Sequence, residues 1–198
     1  MVLALLAASL LPPQAGLHFD LRLTGTEVKP GKPITATLTV TNRGTRPCVI
    51  AKPIWDGAPA ASAYDRLMRG REELVPVGPR SEPRVQVVVS DYVTKGRFLV
   101  LPPLGSVDLY WVTYEGELDF GGAKSRDKAA YAKAKPIPLR PGTYDCTIAY
   151  DFNRERILSE SMTGLRRELR FDPGAKDLWD SAIETSVRLT KRFKVVRE

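Results

Sequence analysis

Between Ile34 and Thr41 the sequence alternates an apolar residue with threonine, without a break. Successive side chains of an extended chain point to opposite faces, so a two-residue period marks a strand with one buried face. Ile34, Ala36, Leu38 and Val40 share the inner face, and Thr35, Thr37, Thr39 and Thr41 face water. Such a strand must pair with neighbours and lay its apolar face on another layer. A turn at Lys29-Pro30-Gly31-Lys32 precedes it, and one at Asn42-Arg43-Gly44 follows. Leu17 to Leu23 gives an opening strand and Pro47 to Ala51 a third. Three sequential strands with tight turns argue for antiparallel pairing, because parallel strands need longer crossovers.

The rest of the chain repeats the theme. Arg84 to Ser90, Gly96 to Leu101 and Val107 to Tyr114 are β-rich, and Pro102-Pro103-Leu104-Gly105 separates the last two. Thr143 to Tyr150 places Tyr144, Cys146, Ile148 and Tyr150 on one face. Ser186 to Val196 keeps Val187, Leu189, Lys191, Phe193 and Val195 in phase, with Lys191 expected where the strand leaves the core. Prolines and glycines spread along the chain suit short strands and disfavour long helices. About eight or nine strands fit an all-β, antiparallel two-sheet sandwich with short helical or irregular insertions. Ala60 to Leu74 carries Tyr64, Leu67 and Met68 at helical spacing, which predicts one or two helical turns. Gly121 to Lys135, rich in Ala and Lys, reads as an exposed helix or a loop. No internal repeat or linker divides residues 16–198, which form one domain.

Val2 to Leu11 is uncharged and rich in Leu and Ala, and Pro12-Pro13-Gln14-Ala15-Gly16 follows. Residues 1–15 read as a secretory signal cleaved after Ala15, although no Lys or Arg precedes the apolar run. The competing reading is a buried N-terminal strand. The run falls short of the roughly 20 residues a bilayer span needs, and no later stretch is apolar enough to serve as one. The expected location is secreted or periplasmic. The formal charge of +7 survives cleavage, because residues 1–15 carry no charged side chain. Positives mixed with acidic residues read as solvated charge; outside the cytoplasm they can meet a protein or an anionic envelope polymer. Lys124, Arg126, Lys128, Lys133 and Lys135 form one basic stretch, but Tyr131 is its one aromatic. Nucleic-acid modules add stacking platforms, so no nucleic acid is expected.

Val28-Lys29-Pro30-Gly31-Lys32-Pro33 leads into the threonine-alternating strand and Thr41-Asn42, and Leu139-Arg140-Pro141-Gly142-Thr143-Tyr144 leads into the late strand. On these two pieces the chain resembles bacterial exported immunoglobulin-like sandwiches. The resemblance implies that Tyr144, two residues before Cys146, closes a corner of the sandwich. Cys48 follows the early strand instead of lying within it, and Trp55 stands seven residues beyond Cys48, so the pattern is that of a looser relative.

Residues able to carry chemistry are few. Cys48 and Cys146, an even pair in an exported chain, suggest a disulfide, with two separate buried thiols as the alternative. The single histidine, His18, has no obvious nucleophile beside it, which disfavours Ser-His-Asp and Cys-His chemistry. Cleavage after Ala15 would expose Gly16-Leu17-His18, whose amine, amides and imidazole can wrap Cu(II) in a square plane; a histidine opening the first strand is the simpler reading. Glu115, Glu117 and Asp119 alternate as a solvated strand end would, without the supporting residues of a glycosidase or a calcium loop. Trp55, Trp111 and Trp179 are expected in core or rim packing. No catalytic residue and no cofactor is assigned.

The expected function is a non-enzymatic extracytoplasmic binding or structural module that presents loops to its partner. The long segments 55–83 and 121–136 supply the candidate contacts: Trp55, Tyr64, Pro76, Pro79, Lys124, Arg126, Lys128 and Tyr131. The alternative is a protease-inhibitor-type β-sandwich offering Val75-Pro76-Val77-Gly78-Pro79, and a carboxylate- or metal-dependent enzyme ranks below both.

Overall fold

The computed structural model describes residues 16–53, 61–77, 91–121, 133–159 and 168–197. In chain order its elements are β1 (Leu17–Leu23), β2 (Glu27–Val28), β3 (Ile34–Asn42), β4 (Cys48–Ala51), β5 (Ser62–Arg69), β6 (Glu72–Leu74), β7 (Pro76–Val77), β8 (Tyr92–Val93), β9 (Phe98–Leu101), β10 (Ser106–Tyr114), β11 (Gly116–Asp119), β12 (Lys135–Ile137), β13 (Gly142–Phe152), α1 (Arg154–Ser159), β14 (Arg170–Phe171), α2 (Ala175–Ser181) and β15 (Thr185–Val195). The protein is mostly β, built from several sheets.

One sheet has the order β1-β3-β10, antiparallel throughout. Leu21 lies opposite Leu38, and Ile34, Ala36, Leu38 and Val40 are all fully buried. On the other side of β3, Val107 pairs with Val40, then a β-bulge at Leu109 shifts the register so that Tyr110 meets Leu38 and Tyr114 meets Ile34. A bulge puts two residues opposite one, so the inward parity of β10 changes from odd to even residues. Tyr110, Val112 and Tyr114 are therefore buried, and Trp111 is turned out.

The second sheet has the order β2-β15-β13-β5-β6. β13 pairs antiparallel with β15 along its whole length and with β5 on its other side. The short β2 runs parallel to the end of β15. Of the segment 60–74 expected to be helical, residues 62–74 form a hairpin instead. Ala63 and Leu67 are buried and Tyr64 and Arg66 exposed, which is the two-residue period of a strand. Gly70, at φ 61°, opens the two-residue turn to β6, a conformation glycine adopts without steric cost.

Side chains of the two sheets meet. The Phe19 and Tyr150 rings lie 5.7 Å apart, and the hydroxyls of Tyr110 and Tyr114 donate to Asp65 at 2.7 and 3.0 Å. Lys191 is not where β15 leaves the core, because Phe193 and Val195 beyond it are buried. Its ammonium escapes sideways and lies 4.0 Å from Asp20 of β1. β1 and β3 form the expected antiparallel pair, whereas β4 leaves them to pair with β9. Smaller sheets β12-β11-β7 and β14-β8 complete the framework, and Trp179 of α2 packs on Phe152 and Phe171.

Cys48 and Cys146 are both buried and unbonded, so the expected disulfide is replaced by two separate thiols. Each belongs to a different sheet: Cys48 pairs with Leu101 of β9, while Cys146 lies on the inner face of β13 with its sulfur 3.3 Å from the Tyr114 hydroxyl. Burial raises the pKa of Cys48 and pushes that of Cys146 up to about 11. Protonated thiols inside a core behave as small hydrophobes.

Candidate functional site

The outward face of the β1-β3-β10 sheet is a polar surface with one large aromatic on it. Arg22 of β1 and Trp111 of β10 both lie opposite Thr37, so one row across the sheet reads Arg22, Thr37, Trp111. Beside that row Arg22 Nη2 donates to Thr39 Oγ1 at 2.8 Å and to Asp108 Oδ1 at 2.6 Å, and Thr39 Oγ1 donates to the same carboxylate oxygen at 2.6 Å. The Thr35 and Thr113 hydroxyls are 2.9 Å apart, and those of Thr41 and Ser106 are 3.0 Å apart. Cross-strand partners thus hold the polar side chains of this face in place. Trp111 stands among them 62% exposed. Aromatic anchors on rigid elements, ringed by polar groups, are what binding interfaces are built around.

Under the opposite face runs a chain of buried polar groups. Asp65 accepts from Tyr110 and Tyr114, so the Tyr114 oxygen is left to accept from the Cys146 thiol. Burial drives the Tyr114 ionisation far upward, and the neighbouring Cys146 and Asp65 drive it further. The Cys146 thiol is raised by burial, opposed by its bond to Tyr114 and helped by the Asp65 charge. Groups held in their neutral forms in this way lock a core and do not supply a nucleophile.

A second polar cluster closes one corner. The Tyr144 hydroxyl donates to the Arg140 carbonyl at 2.6 Å, four residues upstream, as a corner tyrosine does. Glu117, 3% exposed at its side chain, takes Arg69 at 2.9 Å and Arg140 at 3.1 Å on one carboxylate oxygen. Arg140 also reaches Asp119 at 3.2 Å. The alternating carboxylates are therefore not a solvated strand end: Glu117 is turned into an arginine clamp, while Glu115 is exposed. Among the described residues no group of His, Cys, Asp and Glu side chains could hold a metal ion.

The other sequence-derived sites scatter. Trp55, Pro79, Lys124, Arg126, Lys128 and Tyr131 lie outside the described residues, as do residues 1–15 and the strand expected over 84–90. Tyr64 is exposed on the outer face of the second sheet, where its hydroxyl accepts from Arg188 at 2.6 Å. Pro76 is in β7, and the carbonyls of Val75 and Val77 accept from Leu118 and Glu115 at 2.8 Å each. An inhibitor loop must offer such carbonyls to a protease; here a sheet consumes them. Gly16 precedes β1 and accepts from the Arg43 amide at 2.7 Å. Leu17 opens the strand, and the alternation of the ladder puts the His18 amide in a hydrogen-bonded pair with Thr41. A copper square plane needs that same nitrogen. Trp111 is the functional candidate that sequence reasoning placed in packing.

No protein-family model matches this chain, and a search of curated proteins finds no match either. The functional reading accordingly rests on the geometry.

Proposed function

We propose that this chain is a non-enzymatic binding module with an immunoglobulin-like sandwich fold, acting outside the cytoplasm, whose contact surface for a protein partner is the face centred on Trp111. Three features support the fold reading. The first strand is split between sheets, β1 joining β3 and β10, and β2 joining β15 in parallel. The remaining order β15-β13-β5 parallels the strand arrangement of the sheet that lacks the first strand in immunoglobulin domains, with β6 as an added edge. Tyr144 supplies the corner bond.

The observation that carries the functional reading is the exposure of Trp111 at the middle of a rigid strand. A tryptophan gains about 3 kcal/mol or more on full burial, a gain this side chain forgoes in the isolated chain and a covering partner would supply. The secretory reading of residues 1–15 supports the location. The test is retention of a partner from an envelope extract by immobilised protein, wild type against Trp111→Ala. The variant is expected to keep its melting temperature and lose the partner; equal retention by both would remove this surface from the account.

A further inference from the structure

We infer that the uncovered edge of β15 is a strand-addition site for an extended acidic segment of another protein. The amides of Lys194 and Val196 donate to Thr26 and Val28 at 2.8 and 3.0 Å, so the even-numbered residues of this strand turn their backbone groups away from β13. β2 and the residue before it cover that edge only from Lys194 to Val196. The N–H and C=O groups of Ser186, Arg188, Thr190 and Arg192 therefore face outward with no partner among the described residues. β1 passes nearby in the other sheet and gives this edge no hydrogen bond.

An open edge is a template for one more strand, and its side chains state which strand fits. β15 carries Arg188, Lys191, Arg192 and Lys194 and no carboxylate. Two copies joined edge to edge would bring like charges together, which is destabilising in cross-strand pairs. An acidic strand meets the opposite situation. Residues four apart on its outer face would lie against Arg188 and Arg192, which share the outer face of β15. Arg188 donates to the Tyr64 hydroxyl and has no carboxylate partner among the described residues. Arg192, bound to both Asp145 oxygens, would share its charge with the added strand. Between them, on the inner face, apolar residues would cover Val187 and Leu189, which are only half-buried. The complementary segment is one that alternates acidic and apolar residues. It binds by main-chain hydrogen bonds and is selected by charge. This surface is distinct from the Trp111 face, so either assignment can fail alone.

The test uses the whole protein and a synthetic peptide of about eight residues alternating valine with aspartate, a length that spans the open edge. Amide hydrogen exchange is read residue by residue. The aspartate peptide is expected to slow the amides of Ser186, Arg188, Thr190 and Arg192 by about tenfold or more. The same peptide with lysine for aspartate is expected to leave them unchanged. Thr190→Pro removes one outward N–H at a position where an edge strand tolerates proline, and it is expected to abolish the protection. The variant Arg188→Glu, which changes a side chain bonded to the Tyr64 hydroxyl and leaves the Arg192–Asp145 pair intact, is expected to remove the preference for the aspartate peptide over the lysine peptide. Equal protection by both peptides, protection mapping elsewhere, or no protection at all would overturn the inference. So would slowing of the same amides at high protein concentration without peptide, which would show that a second copy covers the edge.

Discussion

At the residue scale, a few side chains fix turns that the sheets alone would leave open. Asn42 is fully buried, yet its amide nitrogen donates to the carbonyls of Arg46, Leu101 and Pro102 at 2.8, 3.0 and 3.2 Å, and its oxygen accepts from the Gly44 amide at 2.9 Å. It ties the turn after β3 to the turn after β9. The second turn holds a conformational cost. Leu104 has φ 61°, which glycine adopts freely and a leucine does not, and its side chain is left 80% exposed. Leu104→Gly is expected to raise stability by about 1 kcal/mol in denaturant unfolding, since relief of the left-handed strain exceeds the added chain entropy. Gly105 next to it cannot be changed likewise, because a Cβ there would sit 2.8 Å from the Pro102 ring. Cys146 sets a pH limit. Its folded pKa of about 11 lies above the unfolded value of about 8.5, so the folded state holds the proton more tightly. That contribution is complete below pH about 8.5 and is lost as pH rises towards about 11. Chemical denaturation across this range is expected to show falling stability, with Cys146→Ala flattening the first part of the decline. Tyr114 and Tyr150, both pushed upward chiefly by burial, extend the loss to higher pH.

At the element scale, strands were legible where one face is apolar for their whole length. Leu17–Leu23 coincides with β1, and the alternation in β3, β13 and β15 marks their ends to within about two residues. β5 was misread because Tyr64, Leu67 and Met68 mimic helical spacing; strand pairing sends Tyr64 and Met68 to the outer face and Leu67 to the core. β10 was legible as a strand, but its facing was not. Counting from Val107 by twos places Leu109 and Trp111 inside, and the bulge at Leu109 reverses that parity. A bulge leaves no signature in a run of apolar residues, so Trp111 reads as packing. The role of Glu117 was hidden for a different reason: Arg69 and Arg140 come from β5 and from the turn before β13, far away in sequence. Glu117→Ala would leave both guanidiniums without their shared acceptor. As the arginines are partly solvated, a loss of about 2 kcal/mol is expected, less than for a fully buried pair, and an unfolding titration reads it directly.

At the scale of the whole molecule, the sheets contribute to one buried apolar cluster, with both cysteines unbonded inside it. Alkylation of the native protein is expected to modify neither thiol, while denaturant without reductant exposes both; a chain that labels only after reduction would instead be disulfide-linked. The assignment of a binding role stands on the one aromatic that the bulge turns outward. Its most direct test is photo-crosslinking in the native envelope from a probe residue placed at position 111, with the same probe at Arg66 on the other sheet as control. A discrete adduct with one protein from position 111 and none from position 66 is the predicted result. No adduct from position 111, or the same adducts from both positions, would contradict the account.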